Sequence, residues 1–472
     1  MIVPFATSFG KLTQLPIDAE ECQNAFAERE PEDAKTSVAV LGVPGLSSFA
    51  TGMAAPIRGF ALLSGLLYVV GGPNLYSVSS SGGVTLLGGG IAGTAPVSMA
   101  TNPAVPPQLV VVNGVNGFVY NTTNGFATIT SIAFFPANTV TFFDDYFVFD
   151  RLGTNFVFLS GLLDGTSYNQ LVSAAAEVQP QNVQATVNQQ ESLLVFSTGH
   201  IETWYDSGAV NFPFQRIDGA TIERGLVSPL ATVKEDNSVF FLGDDLVFYR
   251  LDGVIPRRVS THALEDTWTG FATVADAFCF SFTVNGHKTV VLTFPTGNAT
   301  FLYDIASGLW HQRVSYDSSM NSLGRWRGNC HIKAYGRDLI GDAFTGTVGY
   351  LDPTSFTEYG NAMPVILRSP PMAEDRKRLF FANFEIDIQA GVGLTTGQGS
   401  DPQAMLRWSN DGSRTWSALQ PFRSMGKIGA FTTRLRWAGN LGQARQRTWE
   451  LTISDPVRRT IIAARCDVRV GM

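Results

Sequence analysis

The sequence predicts an all-β protein that is mainly a β-propeller, and three observations support this fold class. Short apolar runs recur along the chain, separated by Gly, Asn, Asp and Pro turns. A similar hairpin returns at a nearly constant interval, and long stretches with helical periodicity are hard to find. A closed ring of sheets protects strand edges without covering helices, which explains how so much strand can occur with so little helix.

The repeat is a hairpin of an apolar strand, a polar or Gly turn, and a second strand that carries a large anchor. The anchors are Tyr76, Tyr120, Phe158, Tyr205, Tyr249, Tyr303 and Tyr350. Their spacings of 38 to 54 residues resemble the period of a propeller blade, about 40–50 residues. We therefore predict about seven four-stranded blades. Six remain possible, because the first or last unit could belong to a neighbouring sheet.

Three segments follow from this repeat. Residues 1–56 are an N-terminal arm and lead-in strand, in which 20–36 could form a short helix or an extended arm. Residues 57–360 are the β-propeller. After the proline pair at 370–371 and the charged run 373–378, the alternating strand 379–389 and several later strands predict a C-terminal β-sandwich-like domain over 361–472.

Charge is sparse and unevenly distributed. Only 15% of residues are charged, whereas about 25% is usual, so part of the surface could be covered in an assembly. Residues 401–472 carry 12 Lys and Arg against 5 Asp and Glu, while residues 1–400 carry 21 against 35. Either the two parts are simply solvated differently, or the C-terminal part presents a contact surface.

The remaining bulk features indicate a protein made and kept in a cytoplasm, unless lysis releases it. The four cysteines are far apart and form no Cys-x-x-Cys pair, which favours free thiols over a zinc site or a disulfide framework. The N-terminal residues lack the basic and apolar regions of a signal peptide. No run of about 18 apolar residues predicts a membrane-spanning segment.

No motif supports catalysis, so we predict no catalytic, cofactor-binding or metal-binding residues and no enzyme activity. The histidines lack metal-ligand spacing, Ser64 and Ser228 lack the nucleophile-elbow pattern, and 86–93 lacks the ending of a phosphate loop. The pairs Asp144–Asp145 and Asp244–Asp245 fall in hairpin turns, where their side chains should diverge.

An approximate Asp-box, the structural hairpin of sialidases, occurs in the C-terminal segment. Its residues are Ser409, Asp411, Gly412, Thr415 and Trp416, with the glycine register shifted. We interpret the motif as structural: Asp and Gly make the turn, and Trp packs beneath it.

Arginines are the most suggestive polar residues of the C-terminal segment. Arg434 and Arg436 alternate within a predicted strand and should share a face, and the same is expected of Arg445 and Arg447. Arg458 and Arg459 follow at a turn. Solvated or intersubunit ion pairs are favoured over nucleic-acid contacts, because no nucleic-acid-reading motif is visible.

Three passages resemble the DNA-stabilisation proteins that form the tail hub, or nozzle, of short-tailed bacteriophages. They are NAFAEREPEDAKTSVAVLGVPGL at 24–46, RGFALLSGLLYVVGGPNLYSV at 58–78, and GHIETWYDSGAVNFPFQRIDGATIERGLVSP at 199–229. The likeness runs through most of the chain, and its motifs are moderately specific because propeller hairpins are partly generic.

The resemblance implies a structural virion protein without catalytic residues. Such a protein assembles as a ring, usually a homohexamer, below the portal and adaptor proteins. The ring extends the channel through which double-stranded DNA leaves, helps retain packaged DNA, and docks tailspikes or tail fibres, while a tail needle or plug closes its tip. Two alternatives remain open: a propeller glycosidase of the sialidase type, and a propeller scaffold for protein partners.

Overall fold

A computed structural model describes residues 1–5, 20–30, 37–177, 179–317, 319–375, 377–418 and 422–471. Within these residues nearly all regular structure is β-strand, and the one α-helix is the eight-residue segment His262–Thr269. The described part of 20–36 is extended rather than helical. Among the described residues, no helix is long and apolar enough to cross a membrane.

Six antiparallel groups of four consecutive strands form blades 1 to 6; blades 1 to 5 are separate sheets, and blade 6 is part of a ten-stranded sheet. Blades 1 to 3 comprise Ile57–Leu63, Leu66–Gly71, Asn74–Val78 and Val84–Gly89; Ser98–Thr101, Leu109–Val112, Gly117–Asn121 and Gly125–Thr128; and Val140–Phe143, Tyr146–Asp150, Phe156–Gly161 and Asp164–Ala175. Blades 4 to 6 comprise Val183–Gln189, Ser192–Ser197, Ile201–Asp206 and Phe214–Arg216; Thr232–Glu235, Ser238–Leu242, Phe248–Asp252 and Ile255–Arg258; and Phe278–Val284, His287–Phe294, Ala299–Asp304 and Leu309–Gln312.

A further sheet, the closing sheet, completes the ring with strands from the end of the propeller segment and one strand from the segment before it. Three strands, Gly328–Ala334, Arg337–Asp342 and Val348–Asp352, are consecutive, and the fourth strand is Gly45–Ala50. Two short strands, Thr357–Glu358 and Asn361–Ala362, extend this sheet, and Val314–Asp317 pairs with Ser322–Arg325 between blade 6 and the closing sheet. The predicted β-propeller is confirmed, and all seven anchors lie on the third strand of their sheet.

Burial explains why the middle strands read as continuous apolar runs. Every residue of Leu109–Val112 and of Ser238–Leu242 is buried, because both faces of these strands pack against neighbouring sheets.

Arg58 is also buried, and its guanidinium donates to the carbonyls of Gly72, Ile91, Ala92 and Ala95 at 2.7–2.9 Å. This side chain thereby fixes the Gly-rich turn between blades 1 and 2.

The C-terminal part is a β-sandwich, as predicted, and strands from near the N-terminus complete it. One sheet contains Ile2–Val3, Ala25–Arg29, Val38–Gly42, Leu379–Ile388, Leu435–Trp437, Gln443–Ala444 and Thr460–Val470. The second contains Glu21–Gln23, Val365–Arg368, Met372–Ala373, Gln403–Ser409, Arg423–Ser424 and Gln446–Ile453. A shared core that includes Phe384, Trp437 and Trp449 lies between them.

The strand Glu21–Gln23, which we call the junction strand, joins the two domains. It pairs in parallel with the last strand of blade 6, at Gln312, and antiparallel with Val365–Arg368 of the sandwich. One continuous sheet therefore runs from the propeller into the sandwich. The predicted boundaries 1–56, 57–360 and 361–472 stay a prediction, since strands of the first segment take part in both domains.

Asn24 follows the junction strand and is fully buried with a φ of 54°. Its side-chain amide donates to the carbonyl of Pro364 at 2.9 Å, and its side-chain oxygen accepts from the backbone N–H of Val314 at 3.0 Å. The left-handed conformation suits asparagine better than most residues. Asn24 thus links the propeller and the sandwich through two hydrogen bonds of a fully buried side chain.

Candidate functional site

A cavity of about 540 Å³ opens beside the start of the first strand of several blades. Its polar lining comprises Asn113, Asn138, Ser228, Asp276, Arg325 and Asn329. Asp276 Oδ1 and Arg325 Nη1 are buried without a hydrogen-bond partner among the described residues. Ser228 Oγ donates to the carbonyl of Ala277 at 2.7 Å, so no base activates it as a nucleophile. The lining can bind water or a small polar solute.

The structure brings two of the five histidines together at blade 6. His287 and His311 border the same small void as Asp304, and His287 Nδ1 lies 2.8 Å from Asp304 Oδ2. His287 Nε2 lies 2.6 Å from Glu28 Oε2, on a strand of the sandwich. Burial lowers the pKa of His287, but the hydrogen bonds to Glu28 and Asp304 outweigh it, so this pKa is raised.

His311 behaves in the opposite way. Burial lowers its pKa to about 4, since no carboxylate contacts the ring closely enough to compensate. Of the two histidines, His287 therefore forms the polar contact between the propeller and the sandwich, through Glu28. The described residues contain no group of three or more His, Cys, Asp and Glu that could hold a metal ion.

The approximate Asp-box forms a turn stabilised by its aspartate. Asp411 accepts hydrogen bonds from the Thr415 hydroxyl at 2.5 Å, the Thr415 N–H at 2.9 Å and the Ser409 hydroxyl at 2.7 Å, and these bonds hold its pKa well below the usual range. Trp416 is half-buried and lies beside the guanidinium groups of Arg368 and Arg407, at 5.1 and 4.8 Å. The tryptophan thus covers arginines rather than packing beneath the turn.

Those arginines converge on a buried carboxylate. Glu450 is 1% exposed and accepts from Arg368 Nε at 2.6 Å and Arg407 Nε at 2.5 Å, and Arg368 also pairs with Glu21 of the junction strand. Such a network needs all its members, because an unpaired buried charge is costly. We interpret this arginine cluster as structural support for the junction.

The other C-terminal arginines occupy different environments. Arg434 and Arg436 share a face, as predicted. The prediction that Arg445 and Arg447 share a face is wrong, because the strand is interrupted at 445. Arg447 is buried, with its guanidinium 4.0 Å from the ring of Phe381, whereas Arg445 is exposed. Arg459 is likewise buried, and Arg458 is exposed.

Arg434 and Arg436 belong to a concave surface of about 570 Å³ on the outside of the sandwich. We call it the sandwich face and define it by Arg434, Arg436, Arg465, Glu385, Asp387 and Asp467. In register, Glu385 stands between Arg436 on one neighbouring strand and Arg465 on the other. The alternation in ARCDVRV could have identified Arg465 and Asp467 as outward-facing, a signal that the sequence analysis missed.

Hairpin turns of blades 3 and 4 carry a second charged surface, the acidic patch, formed by Asp144, Asp145 and Asp206. All three side chains are exposed. A side-chain hydrogen bond to Asp206 raises the pKa of Asp144, which means that the two carboxyl groups are crowded together. By contrast, Asp244 and Asp245 diverge as predicted, toward the N–H of Gly225 and the hydroxyl of Tyr249.

Comparisons with known proteins agree with this architecture. A family model described as bacteriophage P22 Gp10, beta-propeller, matches residues 24–356, and one described as bacteriophage P22 Gp10, beta-sandwich, matches residues 365–471. A comparison with curated proteins gives no match.

Several solved structures show weak similarity. The extracellular domain of a putative one component system from B. thetaiotaomicron has 12% identity and a TM-score of 0.43, over 66% of this chain and 40% of that chain. Streptogramin B lyase has 11% identity and a TM-score of 0.43, over 65% and 97% of the two chains. The computationally designed Ika8 protein has 13% identity and a TM-score of 0.39, over 71% and 99%.

The two family matches cover both the propeller and the sandwich and leave only short segments outside them. The chain therefore belongs to the bacteriophage P22 Gp10 family, which implies a structural, non-enzymatic role in the tail of a P22-like phage.

Proposed function

We propose that this protein forms the tail hub, or nozzle, of a short-tailed phage. In this proposal several copies, expected to be six, assemble into a ring below the portal and adaptor proteins. The ring extends the DNA-ejection channel, helps retain packaged double-stranded DNA, and docks tailspikes or tail fibres, with a tail needle or plug at its tip. The protein is made in the host cytoplasm and ends in the virion tail. The main support for this proposal is the family match over residues 24–356 and 365–471.

The continuous connection between the two domains supports a mechanical role, in which the subunit resists the pressure inside the particle. The junction strand makes one sheet of blade 6 and the sandwich, and the buried Arg368–Glu450 contact reinforces it. A subunit with a stiff connection transmits force between its neighbours without bending at a linker. We propose a propeller over about 57–360 and a sandwich over about 361–472 as the units of that subunit.

The charge distribution supports passage of DNA. Residues 1–400 carry a net charge of −14, from 21 basic and 35 acidic residues. A wall with few accessible cations exchanges few counterions with phosphates, so DNA can slide along it without sticking. In the proposed ring, the propellers contribute most of that wall.

Electron microscopy of tails tests the proposal. Particles assembled with the wild-type gene should show a ring of this protein below the adaptor, and particles assembled without it should lose packaged DNA to added nuclease. The chain's absence from the purified particle, or full nuclease resistance without it, would overturn the proposed function.

A further inference from the structure

The sandwich face has arginines that its own subunit leaves available. Arg434, Arg436 and Arg465 form no ion pair within 4.0 Å among the described residues. Exposed apolar side chains lie on the same sheet or on the loops beside it: Ile2, paired with Arg465, is 70% exposed, and Phe431 is 76% exposed. Available arginines with apolar neighbours are typical of protein interfaces.

The chemistry of the sandwich face disfavours DNA as its partner. Glu385 stands between two of the arginines, and Asp467 accepts a hydrogen bond from Asn383 at 2.8 Å on the same surface. A phosphate backbone would meet these carboxylates at close range, and each would cost affinity. A protein surface with separate acidic side chains can instead approach the arginines individually.

The acidic patch offers complementary chemistry on the same chain. Its carboxylates are exposed and crowded, and two exposed apolar residues belong to the neighbouring turns: Leu162 is 61% exposed, and Val210, close to Asp206 in sequence, is 100% exposed. The turn of Leu162 contacts the patch, since the Leu163 N–H donates to the Asp145 carbonyl at 2.8 Å. An incoming guanidinium would relieve the repulsion between Asp144 and Asp206.

We propose that the sandwich face of one copy docks on the acidic patch of a second copy, so that successive copies contact head to tail. A ring needs two different surfaces that complement each other, and the chain carries both. The sandwich joins the propeller at blade 6, whereas the acidic patch lies on blades 3 and 4, so the surfaces belong to different parts of the subunit. This inference rests on the proposed ring and specifies its interface.

Charge reversal tests the contact by native mass spectrometry of the purified chain, alone and after addition to portal–adaptor complexes. We expect R436E/R465E and D144K/D206K each to weaken ring formation at least tenfold. The chain that combines all four changes should regain rings, since the charges match again. An equimolar mixture of the two double variants should also form rings, with alternating subunits.

The control variant is R414E/R458E, which makes the same change in net charge at two exposed arginines outside the sandwich face. It should form rings as well as the wild type does. A thermal melt confirms that each variant is folded, and R436Q/R465Q replaces the reversal if the latter does not fold.

The outcomes separate this inference from the proposed function. Wild-type rings that survive both double reversals would overturn the interface and leave the ring intact. Rings lost in both double variants and not regained in the combination would also overturn it. A wild-type chain that stays monomeric, both alone and with the adaptor, would overturn the ring itself.

Discussion

Replacement of Asn24 should uncouple the two domains. In Asn24→Ala, the N–H of Val314 and the carbonyl of Pro364 lose their buried partners. Each orphaned group costs about 1–3 kcal/mol, and alanine adds about 1–2 kcal/mol in a left-handed conformation. The expected loss is therefore about 3–8 kcal/mol, a large fraction of the roughly 5–15 kcal/mol that stabilises a typical domain.

Urea unfolding and differential scanning calorimetry measure this effect. We expect the wild type to unfold with strongly coupled domains, and Asn24→Ala to show two separated transitions with a lower midpoint for the first. Asn24→Gly removes the same hydrogen bonds without the conformational cost, so it should lose about 1–2 kcal/mol less.

Asn285→Ala is the matched control. Asn285 has a φ of 52° but lies exposed in the hairpin turn of blade 6, so alanine there adds the conformational cost alone. Equal losses in Asn24→Ala and Asn285→Ala would show that the buried hydrogen bonds contribute nothing, and the reasoning about the junction would fail.

Three further substitutions probe buried polar groups by urea unfolding. In the unfolded chain His311 binds a proton below its ordinary pKa of about 6.5, whereas in the folded chain it does so only near pH 4. The free energy of unfolding should therefore fall by about 3 kcal/mol as the pH drops between these values, and His311→Gln should flatten that slope. His287 has a raised pKa, so its contribution to stability is greatest below about pH 6.5 and is lost as the pH rises through the pKa of the folded chain. His287→Gln should abolish this pH dependence, and an unchanged slope in the variant would contradict the assignment. Arg58→Met leaves four carbonyls without their donor and should cost at least about 3 kcal/mol, whereas an unaltered midpoint would show that water replaces the guanidinium.

The repeated hairpins could be predicted because their signal is local. An apolar middle strand, a turn with positive φ such as Asn285-Gly286, and an aromatic third strand all lie within about twenty residues of one another. The anchors therefore identified the third strand of every sheet in the ring. Likewise, Arg434 and Arg436 share a face because they flank the buried Leu435, the first residue of the strand Leu435–Trp437.

The pairings of the N-terminal strands could not be predicted, because their partners are far apart in sequence. The strand Gly45–Ala50 pairs with Val348–Asp352, and nothing in its six residues specifies that register. The crowding of Asp144 against Asp206 has the same origin, since two hairpins of different blades bring them together. Arg445 and Arg447 point to different faces because the strand is broken at Arg445, between Gln443–Ala444 and Gln446–Ile453, and this break interrupts the alternation of side chains.

The closing sheet has a consequence for how the protein is made. Gly45–Ala50 leaves the ribosome long before Val348–Asp352, and Val38–Gly42 emerges before its partner Thr460–Val470. At about 5–20 residues per second, the two early strands wait for these partners for roughly 15–90 seconds. The propeller cannot close before Val348–Asp352 is made, and the sandwich cannot be completed before Thr460–Val470 is made. A nascent chain therefore cannot present a completed subunit, and in the proposed ring this topology prevents assembly on a half-made protein.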